Sequence, residues 1–380
     1  MKIVIAPDSF KESLTAKQVS QAIKTGLQRV WPNAEFVCIP VADGGEGTVQ
    51  ALVDATEGHC ITTTVNGPLG HSVEAIYGVL GDGQTAVIEM AQASGLHLVP
   101  NEWRDPKRTS SYGTGQLVKH ALDAGIRRFI IGLGGSATND AGSGMLAALG
   151  VKFYDHDGHD IIPSGQALSE LAQIDLSGLD PRLAQCDISI ACDVDNPLCG
   201  DRGASAVFGP QKGASAEDVI TLDQALYNFG LLTEHVTGHH VLSVKGSGAA
   251  GGMGAAWIAY TPAKLKSGID IVLETVGLAE KLVDTDIVFT GEGRIDQQTI
   301  YGKTPIGVAK LAKAFNVPVI AVAGCTGENY QAVYLHGIDA VFPCTPRTMS
   351  LPEALAEAEV NLSNIAENIA RLWQLSLCGE

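Results

Sequence analysis

The chain has 380 residues, 45% of them apolar and 18% charged, with a formal net charge of −17 at neutral pH. That length and composition describe a packed globular protein, too long for one ordinary core, so two domains are expected. The negative charge argues against nucleic acid or an acidic membrane surface as a partner, and it requires local cations or a metal ion wherever an anionic substrate binds.

Taken in chain order, residues 2–6 read as a short apolar strand, followed by Pro7-Asp8-Ser9-Phe10-Lys11 and a helix. Thr15 caps that helix with Gln18 three residues on, and Val19, Ala22, Ile23, Leu27 and Val30 form its apolar face. A second strand at 35–41 leads through Asp43-Gly44-Gly45-Glu46-Gly47 into a helix over 48–56. From about residue 60 the pattern changes. Segments 61–65, 73–80 and 85–90 read as neighbouring antiparallel strands, with Gly81-Asp82-Gly83 as a hairpin turn. A helix at 114–124, a strand at 127–133 and a helix ending before Gly150 follow. A strand at 187–192, a long helix at 216–237 capped by Ser215 and Asp218, and a strand at 240–244 lead to a glycine-rich helix start. The closing part returns to alternation: strands at 286–290, 318–323 and 339–343, with a helix opened by Thr304-Pro305. A last helix opens at Ser350, with Glu353 completing a capping box.

Five short strands alternating with helices predict a doubly wound parallel sheet built from both termini, with a large mixed α/β domain inserted. The boundaries are placed at 1–60 plus 284–380 for the terminal domain and 61–283 for the insertion. Eight cysteines without a C-x-x-C pair point to neither a zinc ribbon nor a disulfide framework, and Cys38 and Cys344, inside apolar runs, are expected in the core. No signal-peptide pattern opens the chain and no apolar run nears ~18 residues, so a soluble cytoplasmic protein with no membrane contact is expected. Oligomeric state is not readable.

Glycine is over-used, at 44 of 380 residues, about 12% against the usual ~7%. Many glycines follow short apolar runs, where a loop turns tightly or lets a ligand approach the backbone. In a doubly wound sheet ligands bind beyond the carboxyl ends of the strands. The terminal domain places Asp8, Ser9 and Lys11 there, then Asp43 and Glu46, then Thr290-Gly291-Glu292-Gly293-Arg294-Ile295-Asp296 and Lys303. Three loops mixing acids, cations and glycine at one sheet edge suit phosphoryl transfer. That chemistry needs cations and magnesium to neutralise phosphate charge and a carboxylate to orient a hydroxyl.

The insertion carries two further glycine patterns. Gly132-Leu133-Gly134-Gly135-Ser136-Ala137 fits G-x-G-x-x-A, with Asp155 near the position of a ribose-binding acid, and Gly246-Ser247-Gly248-Ala249-Ala250-Gly251 fits G-x-G-x-x-G. They allow a nicotinamide-dependent hydroxy-acid reductase or a backbone cradle for nucleotide phosphates, the latter favoured by Gly252 and by Thr138, Asn139 and Asp140. Gly302-Lys303-Thr304 ends like a P-loop, but Gln297 replaces its first glycine. His235, His239 and His240 at a helix end, and Asp155-His156-Asp157-Gly158-His159-Asp160, read as solvated surface rather than metal sites.

Together these segments closely resemble the bacterial glycerate kinase family that is unrelated to P-loop kinases. The resemblance is carried by Ala6-Pro7-Asp8-Ser9-Phe10-Lys11, Ala42-Asp43-Gly44-Gly45-Glu46-Gly47-Thr48, Gly67-Pro68-Leu69-Gly70, residues 89–96 and 132–140, and Ala191-Cys192-Asp193-Val194-Asp195-Asn196-Pro197-Leu198. It continues through Phe208-Gly209-Pro210-Gln211-Lys212-Gly213-Ala214 and residues 246–254 and 290–299, covering residue 1 to beyond 320; Ser110-Ser111-Tyr112-Gly113-Thr114-Gly115 is a small departure. The resemblance implies a flavodoxin-like domain carrying a restriction-enzyme-like insertion, and magnesium-dependent transfer of phosphate from ATP to D-glycerate. The 2-phosphoglycerate product is favoured over 3-phosphoglycerate.

On this reading the active site lies in the cleft between the domains. Gly134, Gly135, Ser136, Asn139, Gly248, Gly251 and Gly252 hold nucleotide phosphates, while Lys11 and Arg294 clamp glycerate or the transferring group. Asp193, after an apolar strand and before a rigid Asn196-Pro197 turn, is the first choice of base, with Asp296 a further catalytic residue. Asp8, Ser9, Asp43, Glu46 and Glu292 contact substrate, and Asp43 and Asp193 hold magnesium. Besides the reductase, a sugar-acid sensor that binds without turnover is the alternative from outside enzymology.

Overall fold

The computed structural model describes the backbone of residues 1–377 and side chains as far as residue 375; Cys378 lies outside the described residues. The chain forms two compact units, Met1–Asp43 with Gln50–Glu57 and Ile269–Glu380, and Gly44–Val49 with Gly58–Gly268. The division falls at Gly268–Ile269, whereas the sequence placed it near residue 283.

The terminal unit holds a five-stranded sheet of Lys2–Ile5, Glu35–Cys38, Ile287–Ile295, Val319–Thr326 and Ala340–Pro343, all parallel. Numbered within this sheet, the strand order is 2-1-3-4-5, an order that reverses beside the first strand and so opens a crevice at the carboxyl ends. The helix Ala16–Gln28 is capped by Thr15 and Gln18 as expected, and Val19, Ala22, Ile23 and Leu27 are buried against Leu362, Ala366 and Ile369 of the helix Ala358–Leu377. A Cβ on Gly26 would lie 2.0 Å from the Ser363 carbonyl oxygen, so the two helices meet at backbone distance.

In the central unit a six-stranded sheet runs Lys264–Lys266, Asp187–Ala191, Arg128–Gly132, Thr85–Glu89, Ser72–Val79, His59–Asn66. The last two strands and their link to Thr85–Glu89 are antiparallel, as the hairpin pattern predicts. The first four are parallel, which gathers their carboxyl ends at one edge. A two-stranded ribbon, Lys152–Tyr154 with Gln173–Asp175, and the strand Lys264–Lys266 have too few residues to show a period in the sequence.

Three expectations are corrected. No strand forms at 240–244; the backbone N–H groups of Val241 and Leu242 donate instead to the Glu234 carboxylate at 2.8 and 3.1 Å, which replaces the sheet ladder as their partner. The segment Thr290 to Ile295, read as a loop, continues the third strand of the terminal sheet in register with Ala321 to Thr326. Cys38 is exposed because its strand is the sheet edge, while Cys344 is buried as expected.

Candidate active site

The carboxyl edge of the terminal sheet opens into a pocket of about 450 Å³. Its lining includes Asp8, Ser9, Lys11, Asp43, Glu292, Arg294 and Lys303, so the three predicted loops do converge. An apolar side is supplied by Leu351, Ala354, Leu355 and Ala358. Residues after the first strand turn back at once: the N–H of Phe10 donates to the Leu14 carbonyl, and Glu12 adopts a left-handed φ of 63° at the tip. Ser13 Oγ then fastens that turn to the Leu355 carbonyl at 2.7 Å, leaving Lys11 exposed beside the pocket.

Asp8 is held at both oxygens. Oδ1 accepts from the Ser9 N–H at 2.6 Å and the Ser9 hydroxyl at 3.2 Å, and Oδ2 accepts from the Thr304 hydroxyl at 2.6 Å. Burial pushes its carboxyl up to about 6; the Thr304 bond opposes this, and the charges of Asp43 and Glu292 add to it. Glu292 is 9% exposed, accepts from the Thr299 hydroxyl at 2.6 Å and pairs with Lys303 at 3.1 Å, and burial also raises its carboxyl. The residues resembling the end of a P-loop, Lys303 and Thr304, therefore hold Glu292 and Asp8. Arg294 reaches into solvent and its Nε pairs with Asp296 at 3.1 Å. The Asp296 carboxylate also caps the turn Gln297–Ile300 by accepting from the Gln298 N–H at 2.8 Å, while the Asp296 N–H donates to the Thr299 hydroxyl oxygen at 3.1 Å, so the carboxylate acts by fixing the guanidinium and the turn.

The central unit assembles a second constellation at its own carboxyl edge. Asp193 is exposed and its Oδ1 accepts from the Gly268 N–H at 3.1 Å. Gly44, with φ 91°, packs where a Cβ would lie 2.6 Å from Gly268 Cα and 3.1 Å from Ala191 Cβ, so this turn requires glycine. Gly134 and Gly135 are exposed after the strand Arg128–Gly132, and a Cβ on Gly134 would meet nothing nearer than Gly45 Cα at 3.8 Å. Glu46 is exposed on the same Gly44–Val49 segment.

Gly248, Gly251 and Gly252 have a different setting. All three are buried, and a Cβ would lie 2.2 Å from the Pro197 carbonyl oxygen, 1.9 Å from the Thr138 carbonyl oxygen and 2.8 Å from Ala141 Cα respectively. Ala250, Gly251 and Gly252 are left-handed, and the Gly251 carbonyl accepts from the Ala141 N–H at 2.9 Å. These glycines let one chain segment lie directly on the loop 138–141. Neither glycine fingerprint has the strand–turn–helix setting of a dinucleotide site: the first runs into a loop before the helix Ser143–Ala148, and the second follows no strand. Asp155 accepts from the N–H groups of Asp157 and His159 in an exposed turn. Asp155, Asp157 and His159 bring their ligand atoms within 4.8 Å of one another, yet Asp157 and His159 are exposed and Asp155 only half-buried.

Three buried charged residues have partners that their positions in the sequence do not show. Glu89, 6% exposed, accepts from the Val49 N–H at 2.9 Å and from the N–H groups of Gly47 and Thr48, at the start of the helix Thr48–Thr56. A carboxylate there meets the positive end of the helix dipole; burial still raises its proton affinity. Asp140 is fully buried and accepts from the N–H groups of Ser111, Gly142 and Gly144 and from the Ser111 hydroxyl, with burial again raising its proton affinity. Lys212 is the third. Glu89→Ala strands the N–H groups at the helix start and is expected to cost about 1–3 kcal/mol, measured as a lower urea midpoint. An unchanged midpoint would show that the carboxylate does not hold this loop.

The model of the glycerate kinase family matches residues 3–374. The chain is 56% identical over 368 residues to the glycerate kinase of Halalkalibacterium halodurans, covering 97% of each chain. It is 52% identical to the glycerate 2-kinase of Escherichia coli, again over 97% of each. A crystal structure from Salmonella typhimurium, provisionally named glycerate kinase 2, superimposes with a TM-score of 0.92 at 52% identity over 99% of both chains.

Proposed function

The chain belongs to the glycerate kinase family, and from that premise we propose that it transfers the γ-phosphate of ATP to the 2-hydroxyl of D-glycerate, giving 2-phosphoglycerate. The observation that carries the acceptor side is the terminal pocket, where Lys11 and Arg294 share one small space with Asp8, Asp43 and Glu292. Preference for the 2-hydroxyl is supported by the relative named glycerate 2-kinase. We place the protein in the cytoplasm; no helix among the described residues is long and apolar enough to cross a membrane. The terminal unit is proposed as flavodoxin-like, from its strand order, and the central unit as restriction-enzyme-like.

In this mechanism the carboxylate of glycerate lies on Lys11 and Arg294, whose planar guanidinium matches a carboxylate in two hydrogen bonds. Asp296 keeps that guanidinium in place. Ser9 and Glu292 complete the contacts to the acceptor, and Glu46 is assigned to the substrate side of its loop. Asp8 orients the hydroxyl and takes its proton as that oxygen bonds to the γ-phosphorus, while the bond from the γ-phosphorus to the bridging β–γ oxygen breaks and ADP leaves. It replaces Asp193 as the proposed base because its carboxyl lines the pocket and ionises close to neutrality.

The exposed N–H groups of Gly134 and Gly135 and the hydroxyl of Ser136 receive nucleotide phosphates. Asn139, Gly248, Gly251 and Gly252 shape that loop from behind. Asp43 and Asp193 offer hard carboxylate oxygens at accessible positions, the donor type magnesium requires. A bound magnesium ion supplies charge neutralisation on the phosphates.

ADP should appear only when ATP, magnesium and D-glycerate are all present. Oxidation of NADH by a keto acid without ADP formation would instead favour the reductase reading.

A further inference from the structure

Among the described residues, Lys212 is the only lysine or arginine that is buried, at 2% exposure. It ends the short turn Pro210–Lys212, and its Nζ donates to the Ser136 hydroxyl oxygen at 2.8 Å and to the Thr138 carbonyl at 2.6 Å. Both acceptors belong to the loop that begins with the exposed Gly134 and Gly135. The charge that favours its ammonium form is that of Asp140, in the same loop. Packing alone does not call for an ammonium here. A methionine fills similar space without the desolvation that a buried charge suffers, and that desolvation pushes the Lys212 amine down to about 7.

The donor geometry gives the residue a use. In its ammonium form the amine only donates, so the Ser136 oxygen then accepts from it, and the Ser136 proton is left to point elsewhere. Toward the exposed side lies the turn Gly134-Gly135, where the backbone is open. Thr138 Oγ1 and Asn139 Oδ1, buried in the same loop, have no hydrogen-bond partner among the described residues, so this stretch holds polar capacity that packing does not consume.

We propose that Lys212 is a positioning residue for the nucleotide: fixed beneath Ser136, it turns the Gly134–Gly135–Ser136 segment into an all-donor receptor for the polyphosphate chain. The proposal rests on the assignment of that segment to nucleotide phosphates made above. It goes further in naming what sets the segment's polarity and charge.

Inorganic tripolyphosphate isolates the phosphate part of the ligand. In the wild-type protein it should slow amide hydrogen exchange at residues 133–137. Lys212→Met should weaken tripolyphosphate binding about ten- to a hundredfold, the scale of one charge-assisted hydrogen bond. The KM for ATP should rise by a similar factor while the KM for D-glycerate stays within about twofold. Ser136→Ala should reproduce the effect, and the double variant should lose less than the product of the two. If Lys212→Met fails to fold, Ser136→Ala alone carries the test, since it removes the relay without touching the lysine.

Wild-type affinity in Ser136→Ala, or in a folded Lys212→Met protein whose 133–137 amides are still protected, would overturn the role of Lys212 and leave the loop assignment standing. Absence of protection in the wild-type protein would overturn the loop assignment itself, and with it this proposal.

Discussion

Asp8→Asn is expected to lower kcat by about 10²–10⁴-fold, the range for loss of a positioned general base. The substitution keeps the shape and one acceptor oxygen but removes the group that takes the hydroxyl proton. Wild-type activity should also depend on acid in a defined way. With the Asp8 carboxyl raised from 3.8 to about 6, the working ionised form is complete above that pH. It falls about tenfold per unit below it, and this acid limb should be absent from the residual activity of Asp8→Asn.

Stability runs in the opposite sense. Between 3.8 and about 6 the folded protein holds a proton on Asp8 that the unfolded chain has released, so this group's contribution declines as pH rises through that window. At neutral pH the Asn variant should therefore melt no lower than wild type, which separates lost chemistry from lost fold. Turnover near the wild-type rate in Asp8→Asn would remove Asp8 from the mechanism.

Gly251→Ala is expected to act on the fold instead. Its φ of 67° is left-handed, and the added Cβ would lie 1.9 Å from the Thr138 carbonyl oxygen and 2.7 Å from Asn139 Cα. Backbone strain and overpacking together should destabilise the central unit by about 2–4 kcal/mol, seen as a lower denaturant midpoint. Gly134→Ala is the contrast, with no neighbour closer than 3.8 Å to the new Cβ. It should leave the midpoint unchanged and raise the KM for ATP. A Gly251→Ala protein of full stability that has lost only ATP affinity would mean that phosphate, not the loop 138–141, lies against Gly251.

This pair also marks where the sequence stops being informative. Glycines 134, 135, 248, 251 and 252 look equivalent as letters in two G-x-G patterns, because a glycine that admits a ligand and one that admits another backbone are the same residue. Only the neighbours, open space for Gly134 and a carbonyl for Gly251, tell them apart. The acid and cation loops of the terminal unit were legible for a physical reason. Parallel strands deliver their carboxyl ends to one edge, so strand alternation alone groups Asp8, Asp43 and Glu292. Local signals with their own chemistry also read correctly, such as the Thr15–Gln18 and Ser215–Asp218 capping boxes.

Long-range pairing did not read. The strand Ile287–Ile295 continues through two glycines because Val319–Thr326 pairs with it, and Val241 avoids a sheet because Glu234 supplies its acceptor. The buried partners of Glu89, Asp140 and Lys212 could not be read either, because they are distant in the sequence. Those partners lie 40, 29 and 76 residues away for Val49, Ser111 and Ser136 respectively.

The most direct measurement of the central claim is proton-coupled phosphorus NMR of the product formed from ATP, magnesium and D-glycerate. A phosphate ester on the 2-hydroxyl couples to the one proton of that carbon, and the account predicts a new ester resonance split into a doublet. A triplet, from the two protons of the terminal carbon, would contradict the 2-hydroxyl assignment; no new ester resonance at all would contradict the kinase reading itself.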